Sequence, residues 1–410
     1  MWCDTEGADP GWPVPSGAST DAVHALRQVE GTSQFPVPPL VLNAASHLES
    51  VADAMSQLRD DERDNYAYRR YANPTVRALE QAWAQVEGAS YTVAFQSGMA
   101  ACYALFQTLL EPGDHAVTQT SVYHEISEQL QVLAASRNVS LSFVAGSDPG
   151  SFRRALRPNT KLVFVESPTN PGLVDVDIHE LADACRHNGT RLVVDNTLLT
   201  WAIQRPLGLG ADVAVYSTTK SVNGHGDAMG GMVAVNDRGL VSRLRDFRTS
   251  TGSIMDPFAA WLTSRGMRSL PLRLERQHRN AIAIASQICQ RSVRYPVRLA
   301  SDTEFAAVNG VSASAGILCL ILPSVTHGTR FIEAVRLMRV ATTFGNLESL
   351  VYHYGTFMAE SHDLAAMGIP LGLVRISAGI EDPEDLVSDV EQALRVVDLC
   401  PGEAGAWPAA

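Results

Sequence analysis

A lysine that directly follows an apolar run is the residue of this sequence with the clearest chemical potential. Residues 213–216 have the composition of a buried strand, and Ser217, Thr219 and Lys220 come immediately after them. A lysine in that place can form a Schiff base with a carbonyl compound, and burial would help by lowering the pKa of its amine. Taken alone the signal is weak, because a lysine after a strand is more often a solvated surface residue.

Two other strand ends carry groups that would complement such a lysine. Asp195 ends the apolar run 192–195 and precedes the lysine by 25 positions. A carboxylate there can keep a pyridine nitrogen protonated, although it also has the ordinary interpretation of a helix cap or a turn acid. Ser97, Gly98 and Met99 follow a third apolar run, and small residues at a strand–helix junction let backbone N–H groups approach a phosphate.

The pattern from residue 90 onward predicts the elements that position these groups. Short apolar runs alternate with stretches of helical period, as parallel strands joined by long crossovers require. The predicted fold class is α/β with a large, mostly parallel sheet, in which ligands bind at the carboxyl ends of the strands. The predicted strands are 91–95, 116–120, 141–144, 162–166, 192–195, 213–216 and 232–235, and the predicted helices are 98–110, 121–135 and 178–188.

Three parts are predicted along the chain: an N-terminal segment 1–64, a large domain 65–255, and a C-terminal part 256–410. The first 40 residues are rich in Gly, Pro, Ser and Thr, a composition that resists regular structure. We expect them to form an arm that lies across a neighbouring subunit or is disordered. The C-terminal part is predicted to contain a helical connector at 261–287, a smaller α/β region through 316–322 and 372–377, and a final helix at 383–398.

Composition narrows the class of protein. A chain of 410 residues that is 46% hydrophobic can bury a large core, and its formal net charge of −12 argues against a broad surface for nucleic acid or anionic lipid. With Asp4 and Glu6 near the start and no apolar run long enough to span a bilayer, we expect a cytoplasmic protein that acts on a small molecule. The cysteines form no C-x-x-C pair and have no histidine at ligand spacing, which predicts reduced thiols and no metal site. They are Cys3, Cys102, Cys185, Cys289, Cys319 and Cys400.

The glycine turn, the acid and the lysine occur in the order and approximate spacing of the fold-type I pyridoxal-phosphate (PLP) enzymes. Further motifs resemble the Cys/Met-metabolism PLP family, which contains cystathionine γ-synthase, cystathionine γ- and β-lyases and methionine γ-lyase. The resemblance covers about residues 60–398 with its order preserved. Its segments are 68–75 (YRRYANPT), 97–99 (SGM), 167–171 (SPTNP), 194–197 (VDNT), 217–220 (STTK), 224–225 (GH), 230–231 (GG), 265–267 (RGM), 347–350 (LESL) and 374–382 (VRISAGIED).

The resemblance implies how PLP is bound. Lys220 would form the internal aldimine and move protons, and Asp195 would pair with the pyridinium nitrogen. Tyr123 matches the tyrosine that stacks on the cofactor ring and acts as general acid or base; a packed core aromatic is the other interpretation. The turn at Ser97 and the strand end at Lys220 would bind the phosphate through the Gly98 and Met99 amides and the Ser217 and Thr219 hydroxyls.

The resemblance also implies substrate contacts and a shared site. Arg375 and Asn170 match the groups that hold the substrate α-carboxylate and the cofactor 3′-oxygen, and an arginine fork suits a carboxylate. We expect Thr343 to bind the substrate as well. Tyr68 and Arg70 match the pair that reaches the phosphate of the neighbouring subunit, which implies at least a dimer and, by family habit, a homotetramer.

The chemistry implied is elimination or replacement at Cγ, or at Cβ, of a substituted α-amino acid through aldimine, quinonoid and ketimine intermediates. Two alternatives stay open. A PLP aminotransferase shares the lysine, the aspartate and the arginine, and a non-catalytic binding protein could use the same scaffold.

Several positions depart from the family pattern near the place of a distal substituent. His124 and Glu125 stand where the family has small residues, Ser221 stands where it commonly has Tyr, and 341–346 (ATTFGN) lacks the acid of some cystathionine lyases. These changes predict an unusual amino acid substrate. In the pocket, the charge of Glu125 would favour a cationic or hydrogen-donating distal group over a carboxylate, or the residue would serve as a second base. The alternative is that Glu125 turns toward solvent or a subunit contact.

Overall fold

The structure is a computed structural model. It describes residues 17–28, 35–59, 66–291, 297–299 and 315–399. Cys3, Cys400 and the remaining parts of the predicted arm lie outside these ranges. Within them, no helix combines the length and the apolar character needed to cross a membrane.

A seven-stranded sheet organises the first half of the chain. Its strand order is β1-β7-β6-β5-β4-β2-β3, and every pairing is parallel except those of β7 with β1 and β6. The predicted large, mostly parallel sheet is therefore confirmed, and each predicted strand falls within two residues of the observed one. The strands are β1 Tyr91–Phe95, β2 His115–Gln119, β3 Ser140–Val144, β4 Thr160–Glu166, β5 Arg191–Asp195, β6 Val213–Ser217 and β7 Gly231–Val235.

Helices cover both faces of this sheet, which is why its inner strands are apolar along their whole length. On one face Tyr216 packs edge-on against Trp83, with ring centroids 5.2 Å apart. On the other, Phe164 packs against Phe106 at 5.3 Å. The helices of this part of the chain are α1 Ala18–His24, α2 Val51–Arg59, α3 Pro74–Glu87, α4 Gly98–Leu109, α5 His124–Arg137, α6 Pro149–Ala155, α7 Ile178–Asn188, α8 Thr200–Ile203 and α9 Arg238–Thr251.

A second, five-stranded sheet organises the C-terminal part, with the order β10-β11-β12-β9-β8. Its pairings are antiparallel apart from that of β10 with β11. The predicted connector, smaller α/β region and final helix are all present. The elements are α10 Pro257–Arg291, β8 Val297–Leu299, β9 Ile317–Ile321, α11 Val325–Ala334, β10 Arg339–Val340, β11 Leu350–His353, α12 Tyr354–Met358, β12 Leu373–Ser377 and α13 Pro383–Asp398.

The prediction that the first 40 residues resist regular structure is wrong for residues 17–28. Helix α1 and a 3-10 helix at Ala25–Gln28 occupy this stretch and pack against α10 and α3. Ala18, Ala22, Ala25 and Leu26 are buried there, and their spacing places them on one helical face. The flanking prolines and glycines made this short apolar pattern hard to recognise in the sequence.

Candidate active site

Lys220 lies in the turn after β6, where it faces the C-terminal part of the chain. Its Nζ donates a hydrogen bond to Thr343 Oγ1 at 3.1 Å. Burial and then the charge of Arg375 lower the pKa of this amine to about 8, while Glu125 acts in the opposite direction. Lys220 therefore loses its proton more readily than an exposed lysine does.

Asp195 is the last residue of β5, one strand away from the lysine. Its Oδ1 accepts a hydrogen bond from the Thr197 backbone N–H at 2.9 Å. Burial raises the pKa of Asp195 to about 6, although Thr197 opposes the rise. Among the described residues no cationic side chain forms an ion pair with Asp195, so a buried carboxylate is available for a protonated partner.

The beginning of α4 lies directly against the end of β6. Ser97 caps the helix, its Oγ accepting from the Ala100 N–H at 3.1 Å. A Cβ on Gly98 would lie 2.8 Å from Ser217 Cβ, so only glycine allows this approach. The N–H groups of the first turn, which include that of Met99, thereby stand beside the Ser217 strand end.

The Thr219 hydroxyl secures the neighbouring turn. The Gly230 N–H donates to Thr219 Oγ1 at 3.1 Å, which joins the lysine turn to the residue before β7. The predicted phosphate-binding residues of the Ser97 turn and the Lys220 turn thus lie together at the carboxyl ends of β1 and β6.

Arg375 lies in the middle of β12 and is 3% exposed. Its Nη1 donates to Asn170 Oδ1 at 2.8 Å and to the Tyr354 hydroxyl at 3.1 Å. Its Nη2 donates to the Thr343 carbonyl oxygen at 2.8 Å. Arg375, Asn170 and Thr343 therefore form one cluster, and Thr343 connects that cluster to Lys220.

Tyr123 immediately precedes α5. Its backbone N–H donates to Glu166 Oε2 at 3.1 Å, and its ring packs edge-on against His124 with centroids 4.8 Å apart. Burial, followed by the charge of Glu125 and a hydrogen bond to it, raises the pKa of the Tyr123 hydroxyl well above its usual value. Glu125 is solvent-exposed in the first turn of α5, yet its charge acts on both Tyr123 and Lys220.

Glu166 is a site residue that sequence reasoning missed. It ends β4 directly opposite Asp195 in the sheet register, and it is buried. Burial and the charge of Asp195 raise its pKa well above the usual value for a glutamate. The sequence did contain a signal, since Glu166 closes an apolar run in the same manner as Asp195.

Tyr68 and Arg70 form a separate group. Arg70 Nη1 donates to the Thr249 carbonyl oxygen at 2.9 Å, and its guanidinium lies 5.5 Å from the centroid of the Tyr68 ring. Tyr68 is 45% exposed. In the part of the chain that the structure describes, neither side chain bonds to Lys220 or its neighbours, so this single chain does not test their predicted role in a partner's site.

Comparisons with known proteins agree with this geometry. The profile of the family described as Cys/Met metabolism PLP-dependent enzyme matches residues 19–395. The chain belongs to this family. Cystathionine gamma-lyase of Bos taurus is 33% identical over 93% of the chain and 94% of the relative, and L-methionine gamma-lyase of Pseudomonas putida is 34% identical over 92% and 97%. A crystal structure of cystathionine gamma synthase from Xanthomonas oryzae pv. oryzae, in complex with aminoacrylate and cysteine, matches with a TM-score of 0.85 at 31% identity, over 94% of this chain and 99% of that one.

Membership of the Cys/Met-metabolism family makes this chain a PLP-dependent enzyme that eliminates or replaces a side-chain group of an α-amino acid. Neither the aminotransferase nor the non-catalytic alternative is favoured by these relatives.

The residues present fit the family's cofactor. Asp195 is a buried carboxylate that lacks a cation among the described residues, as a site for a protonated pyridine requires. The close approach at Gly98 leaves the N-terminus of α4 and the Ser217 hydroxyl together, a suitable set of donors for a phosphate.

Proposed function

We propose that this enzyme carries out PLP-dependent elimination or replacement at Cγ of an amino acid whose distal group is cationic or donates hydrogen bonds. The observation that carries the proposed chemistry is the convergence of Lys220, Thr343 and Arg375 through direct hydrogen bonds, and the distal-group preference rests on the charge of Glu125 beside Tyr123 and Lys220. The convergence places a lysine of lowered pKa beside a buried arginine, which suits proton transfer next to a bound carboxylate.

Lys220 would hold the cofactor and would move protons at the substrate carbons. When bound, PLP supplies an electron sink for the pair left at Cα. Asp195 would pair with the ring nitrogen, and Ser97, Gly98 and Met99 would hold the phosphate. The hydroxyls of Ser217 and Thr219 would complete that set, with Tyr68 and Arg70 supplied by a neighbouring subunit.

Arg375 would bind the substrate α-carboxylate. Asn170 and Thr343 hold its guanidinium from two directions, so the fork is oriented before substrate arrives. A preorganised fork favours a carboxylate over a neutral group of the same size.

Tyr123 would donate a proton to the leaving group on Cγ. Its raised pKa keeps the hydroxyl protonated, as a general acid requires. Glu125, whose charge acts on Tyr123 and on Lys220, would face the distal group and would favour a cation there. The departures from the family at His124 and Glu125 support a substrate other than cystathionine.

We also propose that the enzyme is a cytoplasmic homotetramer built from dimers with shared sites, divided into segments 1–64, 65–255 and 256–410. The separation of the Tyr68 and Arg70 group from Lys220 within one chain supports a contact from a neighbouring subunit.

The test exploits the lysine content, since Lys220 and Lys161 are the two lysines of the chain. Borohydride reduction of the holoenzyme should fix the cofactor on Lys220, and Lys220→Ala should abolish both labelling and turnover. Lys161 is exposed near the start of β4, so Lys161→Arg is a matched control that should change neither. Labelling of Lys161 would overturn the assignment.

The reaction itself is tested by mass spectrometry of products from Cγ- and Cβ-substituted amino acids, with and without added nucleophiles. A lyase or γ-substitution enzyme turns over without a keto acid. Accumulation of pyridoxamine phosphate and dependence on a keto acid would instead identify an aminotransferase.

A further inference from the structure

One aromatic ring lies close to both cations of the site. The Phe344 ring centroid is 5.3 Å from Lys220 Nζ and 5.4 Å from Arg375 Cζ. Phe344 itself is 5% exposed, so water screens these contacts little. The residue before it, Thr343, bonds the same two side chains through its hydroxyl and its carbonyl oxygen.

The backbone around Phe344 is fixed on both sides. Gly345 has a φ of +79°, and a Cβ there would lie 2.6 Å from the Ser221 backbone nitrogen. Its N–H donates to Ser377 Oγ at 2.9 Å. The segment therefore lies against the residue after Lys220 and against the strand that carries Arg375, so the main chain beside Phe344 cannot shift without disturbing one of them.

The like charges of Lys220 and Arg375 repel one another. Burial lowers the pKa of Lys220, and the charge of Arg375 lowers it further. An aromatic face attracts a cation through its quadrupole and so acts in the opposite direction on both groups. Binding of a carboxylate requires a charged, oriented Arg375, while proton transfer requires a Lys220 that can both take and release a proton.

We propose that Phe344 is a positioning residue whose ring holds Lys220 and Arg375 together in one site, keeping the lysine a competent proton carrier and the arginine aimed at the substrate carboxylate. The inference rests on the proposed function and adds a residue for which neither the motifs nor the hydrogen bonds give a role. It predicts that the electronic character of the ring, and not only its volume, affects both cations.

The test replaces Phe344 in the holoenzyme with 4-fluorophenylalanine, pentafluorophenylalanine and leucine. Two quantities are measured: the pH midpoint of the cofactor's visible absorbance, and the Kd of an unreactive α-amino acid relative to its carboxamide. Fluorination nearly keeps the ring's shape, while one fluorine weakens the negative face of the ring and five remove it. We expect the midpoint to fall by about half to one pH unit, and the preference for the carboxylate to fall about three- to tenfold, in the order of fluorination.

Phe331→Leu is the matched control, because Phe331 is also buried but lies in α11. It should change neither quantity. If pentafluorophenylalanine behaves as phenylalanine while leucine does not, the ring acts by packing alone and the inference is wrong. Unchanged values in all Phe344 variants would also overturn it. In either case, borohydride labelling of Lys220 and the product assay described above would show whether the proposed function stands independently.

Discussion

Replacement of Arg375 by alanine should chiefly weaken binding of the substrate α-carboxylate. The guanidinium is buried and makes hydrogen bonds of 2.8, 3.1 and 2.8 Å to Asn170, Tyr354 and Thr343. These bonds fix the fork, so its remaining donors are already oriented for a ligand. The substitution removes both the charge and that orientation.

The loss of a buried, charge-assisted contact should cost on the order of 2–4 kcal/mol, which corresponds to a rise of roughly 30- to 1000-fold in KM. Arg375→Lys keeps the charge but loses the fork, and should give an intermediate value. Because the charge of Arg375 lowers the pKa of Lys220, Arg375→Ala should also raise that pKa from about 8.

The assay compares an amino acid substrate with its α-carboxamide. The parent enzyme should prefer the carboxylate strongly, and Arg375→Ala should lose most of that preference. Cofactor content and thermal unfolding are measured alongside, because removal of the guanidinium takes the donor from the Thr343 carbonyl oxygen and leaves Asn170 Oδ1 only the 3.3 Å bond from the Tyr354 hydroxyl. Arg276→Ala is the control, since Arg276 is half-buried on α10 and bonds to the Glu381 carbonyl oxygen.

Arg375 does not bind the α-carboxylate if folded, PLP-loaded Arg375→Ala keeps the parent's preference for the carboxylate. A change confined to kcat would likewise contradict a role in ground-state carboxylate binding.

Three further predictions concern other parts of the molecule. Arg70→Ala should lose cofactor affinity, and mixing it with Lys220→Ala subunits should restore some activity; no recovery in verified mixed oligomers would contradict a shared site. Glu125→Gln, compared with Glu125→Gly over a panel of substrates, should lower kcat/KM for cationic distal groups about tenfold relative to neutral ones, and unchanged ratios would remove Glu125 from the specificity argument. Burial raises the pKa of Glu87 to about 8, against an unfolded value near 4.5, so its stabilising contribution is complete below pH 4.5 and is lost as pH rises through 8. Glu87→Gln should therefore gain in unfolding temperature relative to the parent between pH 5 and pH 8, and a parallel pH dependence of the two proteins would be the contrary result.

The sheet could be predicted from the sequence because its inner strands are buried on both faces and appear as uninterrupted apolar runs. The same runs located Asp195 and the turn of Lys220 at strand ends. The exact ends of the strands were harder to predict. β2 begins at His115 and β6 ends at Ser217, because polar residues also take part in the ladder there.

The residues of the cluster around Arg375 could be predicted only from the family motifs, because they are far apart in sequence. No periodicity indicates that Thr343 bonds both Lys220 and Arg375. The role of Phe344 depends on distances to two side chains that only the folded chain brings together. The proposed contact of Tyr68 and Arg70 with a neighbouring subunit rests on the family motif alone, because within one chain the pair makes no bond to Lys220 or its neighbours.

The hydrogen bond from the Tyr123 backbone N–H to Glu166 has a consequence for how this enzyme can diversify. The start of α5 is anchored through the main chain and a residue of β4, so the anchor does not depend on which side chains follow Tyr123. Mutations at His124 and Glu125 can therefore leave the main chain of Tyr123 in place, although they change the ring contact and the charge that its side chain meets. If these two side chains face the distal group as proposed, a mutant library confined to their codons would vary the substrate range without moving the main-chain anchor of the tyrosine.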